Sequence, residues 1–460
     1  MVFTLERSGK IESQSIRQQG EPPETAQEQI EEELQFKNEV LILVSAPLLT
    51  GDLYPVEGLS IQKEIDEIVS AFEGLGITLE ITVKIATTES LLEVFSKKVK
   101  PLIIHFIGHG TSIDDGFALL LENKVGLARP FTREEFHRLL ANRTSPPCQL
   151  ALLNACHSAG LADELIEAGV SHVITVNAED TILDLTARIF SQHLYKALLN
   201  QLSVIEAFEH SRSSVLIDDE LAQSFNEKTF KRGVNLEEAF KFQLLPRNSS
   251  THHTPLSFQS ASIGKIIVPA WEKTNISPDD STFVGRRLDI YHLANDLISK
   301  YCCITLHGMG GMGKTSLALA TGRWQHERQR WRDGVWLIRL RDVDLSTKAA
   351  AQILDTLSVN RIIVSDSPKI TDLRDKKLLL ILDDIDRLIE QDAEGLTDLL
   401  NILLSYRNLR ILITSRLGLP MQIYHHRREV QGLGKSDSIQ AFWNYSPAVV
   451  VNQRSVGNVM

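Results

Sequence analysis

An α/β architecture of two successive units is the fold class this sequence predicts, and three observations predict it. From Val40 onward, short continuous apolar runs alternate with helix-like stretches, the pattern of parallel strands buried on both faces and joined by helical crossovers. Residues 308–315 read Gly-Met-Gly-Gly-Met-Gly-Lys-Thr, a complete G-x-x-x-x-G-K-[ST] loop between an apolar strand and a helix-forming run. Between the two units, the stretch 243–281 loses periodicity and gathers Asn248-Ser249-Ser250-Thr251-His252-His253 and several prolines, as a linker does.

Composition narrows the classes further. The 460 residues are 43% hydrophobic, ordinary for a globular chain of about two to three domains. A net charge of −11 argues against nonspecific nucleic-acid binding. No apolar run approaches the ~20 residues of a membrane span. Residues 1–37 are polar, with Glu31-Glu32-Glu33 in a row and no apolar signal core, so they are expected as a disordered segment and the chain as cytoplasmic. Four cysteines make no disulfide framework; Cys148, Cys302 and Cys303 read as small hydrophobes.

In the first unit, residues 38–242, the expected strands are Val40–Val44, Leu79–Ile85, Leu102–Ile107, Phe117–Leu121, Leu150–Leu153 and His172–Thr175. The expected helices are Ser60–Leu75, Glu89–Lys97, Arg133–Leu140, Leu161–Ala168, Asp184–Leu199 and Ser203–Leu216. The linker has room for one short strand, Lys265–Val268, and His252 and His253 are expected exposed, since no ligand spacing accompanies them. The second unit covers residues 282–446, and an irregular tail follows at 447–460.

The glycine loop carries the clearest chemistry. Gly308, Gly310, Gly311 and Gly313, with Met309 and Met312 between them, let backbone N–H groups converge on phosphate oxygens, and the helix N-terminus adds positive potential. Lys314 would reach the β- and γ-phosphates, Thr315 would hold Mg²⁺, and Ser316 opens the helix. Asp383, 69 residues after Lys314, follows the apolar run Leu378–Leu382 at the C-terminal edge of a strand, where open α/β sheets bind ligands. Asp383 is expected to share the metal, partly through water, and Asp384 to orient an attacking water. Arg410–Ile413 is a further strand, and Arg416 just beyond it could sense a terminal phosphate. These residues, with Phe283-Val284-Gly285-Arg286 upstream, resemble the NB-ARC group of STAND signalling NTPases. The resemblance implies adenine contacts from Val284, Gly285 and Arg286, ATP or ADP with Mg²⁺ as cofactors, slow hydrolysis, and activation through homo-oligomers. That group continues into a helical subdomain and a winged helix; 44 residues follow Arg416 here, so the unit is expected to be C-terminally truncated.

In the first unit, an apolar strand runs into Gly108-His109-Gly110 and another into Asn154-Ala155-Cys156, with the histidine and cysteine 47 residues apart. Neighbouring parallel strands would bring both to one edge. A thiol needs a base to attack near neutral pH, and imidazole serves. The Gly110 and Cys156 N–H groups could form an oxyanion hole. Asn154-Ala155-Cys156-His157-Ser158-Ala159-Gly160 and Ile107-Gly108-His109-Gly110 resemble the two motifs of the CHAT domain, a caspase-like peptidase domain related to separases. That implies a caspase-like α/β sandwich followed by the P-loop NTPase α/β domain. It also implies a cysteine endopeptidase with His109 as base and Cys156 as nucleophile, acting on a protein substrate, in bacterial signalling, defence or cell death. His105 reads as a packing residue and His157 as a rim residue. A non-catalytic CHAT interaction module on a nucleotide-binding scaffold is the alternative. Residues 111–121 contain Asp114 and Asp115 but no Lys or Arg, so a basic residue before the scissile bond is expected.

Overall fold

A computed structural model describes residues 36–72, 79–113, 116–141, 145–177, 179–224, 234–258, 266–267, 273–277, 283–420 and 423–445. The expected polar segment, apart from its last two residues, and the expected tail lie outside the described residues, as do Asp114 and Asp115.

The first sheet is built on β1 (Lys37–Val44), whose pleat sends Val40, Ile42 and Val44 into one core layer and Leu41 and Leu43 into the other. Helix α1 (Ile61–Ala71) leads to β2 (Leu79–Ile85), α2 (Thr88–Ser96) to β3 (Pro101–Ile107), and the chain then leaves the sheet. It forms a separate antiparallel sheet of β4 (His109–Ile113), β5 (Gly116–Glu122) and β6 (Ala128–Thr132). After α3 (Arg133–Leu140) it returns as β7 (Leu150–Asn154), then α4 (Ala162–Glu167), β8 (His172–Val176), α5 (Asp184–Leu199), α6 (Val204–Ile217), α7 (Asp219–Ser224), α8 (Val234–Ala239), β9 (Phe242–Leu245) and β10 (Ile266–Ile267). The main sheet has the order β10-β2-β1-β3-β7-β8-β9, parallel except for β9. Helices α1, α5 and α6 cover one face; α2, α3 and α4 cover the other.

Two expectations need correction. Phe117–Leu121 is a strand, but of the small antiparallel sheet, because the chain turns out of the main sheet at His109. The expected linker holds its expected short strand, β10, which pairs with β2, but it also opens on an unexpected strand, β9, which pairs with β8. Its His252 is buried, not exposed, with Nδ1 2.7 Å from Nδ1 of the buried His172 and Nε2 donating to the Pro246 carbonyl at 2.9 Å. Two ring nitrogens and a carbonyl satisfy one another, so the site needs no metal to explain it.

The second sheet is fully parallel, in the order β12-β13-β14-β11-β15. It is assembled from α9 (Arg287–Ser299), β11 (Cys303–His307), α10 (Lys314–Glu327), β12 (Val335–Arg339), α11 (Ser346–Val359), β13 (Leu378–Asp383), α12 (Asp386–Gln391), α13 (Ala393–Leu404), β14 (Leu409–Ser415), β15 (His426–Glu429) and α14 (Lys435–Tyr445). The all-apolar Leu378–Leu382 run makes β13 a central strand, buried along its whole length. Helices α9 and α10 pack on one face, α11 and α13 on the other. Leu48 and Leu49 from the first sheet's unit join the α9–α10 core, so the described residues from Phe36 to Tyr445 belong to one compact unit.

Candidate functional site

The main sheet edge collects the His-Gly and Ala-Cys segments. β3 and β7 are parallel neighbours with Ile107 opposite Asn154, and the Gly108 N–H donates to the Asn154 carbonyl at 3.2 Å. His109 opens β4, and Cys156 stands two residues past β7. The closest approach is at Gly110, where a Cβ would lie 1.8 Å from the Cys156 carbonyl oxygen; no other side chain fits against that backbone. Cys156 is half-buried, and its Sγ receives the Ile182 N–H at 3.4 Å. The His109 ring sits 2.9 Å, through Nε2, from the Glu57 carbonyl. A carbonyl only accepts, so Nε2 carries a proton, and in the neutral ring Nδ1 keeps the lone pair a base needs. Burial holds the His109 imidazolium below its usual range; the Glu57 carbonyl and carboxylate oppose this, and Arg287 reinforces it. His157, in a left-handed turn at φ 61°, stacks on Phe117 with ring centroids 5.3 Å apart.

Under the edge lies a buried polar cluster. Asn154 Nδ2 donates to Glu64 Oε1 at 2.9 Å and to Ser191 Oγ at 2.6 Å, and Ser191 Oγ is 2.9 Å from the same Glu64 oxygen. His105 Nε2 lies 3.5 Å from Glu64 Oε1, with the Tyr195 hydroxyl 3.3 Å from its Nδ1. Burial raises the Glu64 carboxyl to about 7, against the Ser191 and Asn154 hydrogen bonds, and lowers His105 to about 3. Glu64 was legible in principle: it occupies the apolar stripe of Ile61, Ile65 and Ile68 on α1, where a carboxylate needs a reason. Glu57 had no such signal, since it acts through its backbone.

In the second unit the glycine loop links β11 to the first turn of α10. Gly311 and Gly313 have φ of 79° and 78°, and a Cβ at Gly310 or Gly311 would have nothing within 4 Å, so the loop backbone faces open space. Lys314 Nζ donates to the Gly308 and Met309 carbonyls at 2.8 Å each. Thr315 Oγ1 and Thr414 Oγ1 each donate to Asp383 Oδ1 at 2.6 Å, which brings together the two residues expected to share Mg²⁺. A cavity of about 740 Å³ extends from the loop, with Lys314, Thr315, Ser316, Asp384, Arg341 and Arg416 among its lining residues. Asp384, expected to orient water, is held by Arg341 Nε at 2.8 Å. Arg416 Nε bonds Asp386 Oδ2 at 2.6 Å, and Asp386 also receives Ser415 Oγ and the Arg416 and Leu417 N–H groups. Burial would raise Asp386, but these donors prevail and bring it to about 2. Sequence reasoning assigned no role to Arg341 or Asp386, because nothing marks them apart from other charges near strand ends. Val284 is buried; Gly285 lies against the Asp437 carboxylate, and Arg286 Nη2 donates to the Met312 carbonyl at 3.0 Å and the Gln431 carbonyl at 2.6 Å. An open loop of amides, a lysine and a threonine–aspartate pair fit a nucleoside phosphate with Mg²⁺.

A family model described as CHAT domain matches residues 11–255, and one described as NACHT domain matches residues 303–448. NACHT is a STAND family related to the NB-ARC group that the motifs resemble. Comparison with curated proteins finds no significant match. Similar solved structures include a STAND protein with a tetratricopeptide repeat sensor from Pyrococcus horikoshii (16% identity, 39% of this chain and 28% of that one, TM-score 0.27). Others are a Walker-type ATPase of Pyrococcus abyssi (15%, 38% and 63%, 0.30) and the Aeropyrum pernix ORC1 protein in complex with DNA (17%, 38% and 53%, 0.29). The chain thus spans less than two thirds of each of these proteins.

Proposed function

This chain belongs to the CHAT domain family and carries a STAND-class P-loop NTPase domain, and from that premise we propose that it is a caspase-like cysteine endopeptidase controlled by nucleotide. The observation that carries the reading is the contact of Gly110 with the Cys156 backbone, which puts the histidine and cysteine segments side by side at one strand edge. His109 Nδ1 takes the Cys156 proton, and the thiolate attacks the scissile carbonyl. The N–H groups of Gly110 and Cys156 receive the developing oxyanion. His109 then protonates the leaving amine, and water, deprotonated by the same ring, releases the acyl group. The peptide preference is for a basic residue before the scissile bond.

In the second unit, Lys314 and the loop amides hold the phosphates of ATP or ADP, and Thr315 and Asp383 hold Mg²⁺, which neutralises phosphate charge when bound. Val284, Gly285 and Arg286 contact the adenine end as in NB-ARC relatives. Arg416 is the phosphate sensor, and oligomers form on activation, in a signalling or defence setting. Trapping with an arginine-containing peptide electrophile tests the peptidase: mass spectrometry should find the label on Cys156, and Cys156→Ala and His109→Ala should each abolish cleavage. Cleavage surviving in Cys156→Ala refutes it. Calorimetry tests the switch: Lys314→Ala should weaken both ATP and ADP by about tenfold or more.

A further inference from the structure

We propose that Arg287, a residue of the nucleotide-binding unit, is a positioning residue for His109 and couples the phosphate loop to the peptidase dyad. The proposal rests on the peptidase reading above and names the route by which nucleotide controls it.

The route begins in the segment between β1 and α1. Its first part is fastened to the nucleotide unit. Leu48 and Leu49 are buried in one cluster with Leu293, Leu297 and Trp324. The Ala46 carbonyl accepts from Arg328 Nη2 at 2.8 Å, and the Ala46 N–H donates to Glu122 Oε1 at 3.0 Å. The far end of the same segment reaches the dyad. The Glu57 carbonyl holds His109 Nε2, and the next residue, Gly58, is pressed against Arg287: a Cβ there would lie 2.4 Å from Arg287 Nη2. The Glu57 carboxylate also interacts favourably with the Arg287 guanidinium, which is otherwise penalised by burial. Arg287 is thus in contact with the peptide that fixes the His109 tautomer.

Its chain neighbour Arg286 makes the other connection. Arg286 caps α9 in a left-handed conformation at φ 56°, and its guanidinium bonds the carbonyl of Met312 inside the phosphate loop. The sequence of contacts is therefore Met312, Arg286, Arg287, Gly58–Glu57, His109. Phosphate entering the loop competes for the groups around Met312, and a change there reaches the α9 N-terminus through Arg286. Arg287 moves with it, because the two are adjacent in the chain. When Arg287 releases Gly58, the Glu57 carbonyl loses its fixed place. His109 then no longer has Nε2 tied, and Nδ1 is no longer held ready for Cys156. Two sites coupled in this way each bias one movable segment, which is what coupling requires physically.

The test uses the full chain and no peptide substrate. Alkylation of Cys156 by iodoacetamide is followed by peptide mass spectrometry in Mg·ADP and in Mg with a non-hydrolysable ATP analogue. Half-buried Cys302 is the internal reference. In the wild type the Cys156 rate should differ between the two nucleotides by about fivefold or more. Arg287→Ala should remove that difference while the variant still binds both nucleotides, as measured by calorimetry. Arg287→Lys should restore part of it. Gly58→Ala, made from the peptidase side, should lose it as Arg287→Ala does, which covers the case where either variant fails to fold. The proposal is overturned if both Arg287→Ala and Gly58→Ala keep the wild-type nucleotide dependence. It is also overturned if the wild type shows no dependence although His109→Ala slows alkylation. If Cys156 reacts no faster than Cys302 and His109→Ala changes nothing, the dyad reading fails and the proposal falls with it.

Discussion

Glu64 shows how much a single buried group shapes this site. Its carboxyl is 2% exposed, and it ties Asn154 of β7 to Ser191 of α5 just beneath Cys156. Its folded-state value of about 7 stands above the ordinary 4.5. Between those two values the folded state therefore binds more protons than the unfolded one, so stability falls as pH rises from about 4.5 to about 7. Above pH 7 the charged form is buried beside a neutral His105, and the full penalty, at most about 3 kcal/mol, applies. Glu64→Gln keeps an oxygen at the position that Asn154 and Ser191 share, with no charge to desolvate. Denaturant unfolding of Glu64→Gln should lose much of the wild-type decline across that window and be the more stable protein at pH 8. A decline equal to that of the wild type would mean that Glu64 does not titrate there. His109 works by a different residue-scale logic: a carbonyl, not a carboxylate, sets its tautomer, so no side-chain substitution at position 57 removes the bond directly.

At the scale of elements, the two sites are strand ends followed by tight turns, and their tightness is testable. Gly110→Ala would bring a methyl to within 1.8 Å of a backbone oxygen, which has no rotamer by which to withdraw. β4 and the Cys156 turn must then separate, so the variant should lose Cys156 reactivity by about a hundredfold while keeping its nucleotide affinity. Reactivity within about threefold of wild type would show that the contact does not hold the dyad. Elements of this kind were legible in the sequence where local chemistry alone specifies them. Leu378–Leu382 and Leu150–Leu153 are too apolar to be anything but central strands, and the glycine loop has its own signature. The turn of the chain at His109 into a separate sheet was not legible, because β5 alternates no differently from a strand of the main sheet and only its partners distinguish it. β9 hid at the start of a stretch whose composition reads as linker, whereas β10 is the short strand expected there; the pairing of both is decided by open sheet edges far away in sequence. Buried His252 was missed for the same reason, since its partner His172 lies 80 residues upstream.

For the whole molecule, the question is what joins the two units, and α10 gives the geometry of an answer. It starts at Lys314 in the phosphate loop and runs to Glu327, next to Arg328, so one rigid helix of 14 residues, roughly 21 Å, connects the nucleotide loop to the interface. There Arg328, 3% exposed, donates from Nε and Nη2 to the two oxygens of Glu122, 2% exposed, at 2.8 and 2.7 Å. Its guanidinium also lies over the Trp324 ring, 4.1 Å from the centroid, and Trp324 in turn packs against Gly126. A bidentate pair with further bonds to Ala46 is well compensated for its burial, but either partner alone would not be. Glu122→Ala leaves the buried guanidinium with Glu327 Oε2 at 3.1 Å and the Trp324 and Ala46 carbonyls, and should cost about 3 kcal/mol, against a much smaller loss for a salt bridge in water. The double change Glu122→Met with Arg328→Met removes both charges of the pair, fills similar volume, and should recover part of that loss, leaving the Ala46 groups and the Glu327 carboxylate, which loses its bond from Arg328 Nη1, as the residual deficit. Because the pair joins two cores and belongs to neither, calorimetry of Glu122→Ala should show two separate unfolding transitions, with the wild type and the double variant unfolding in one. A single transition for Glu122→Ala, shifted by less than about 1 kcal/mol, would mean that the shared Leu48–Leu49 contact, not the ion pair, holds the units together.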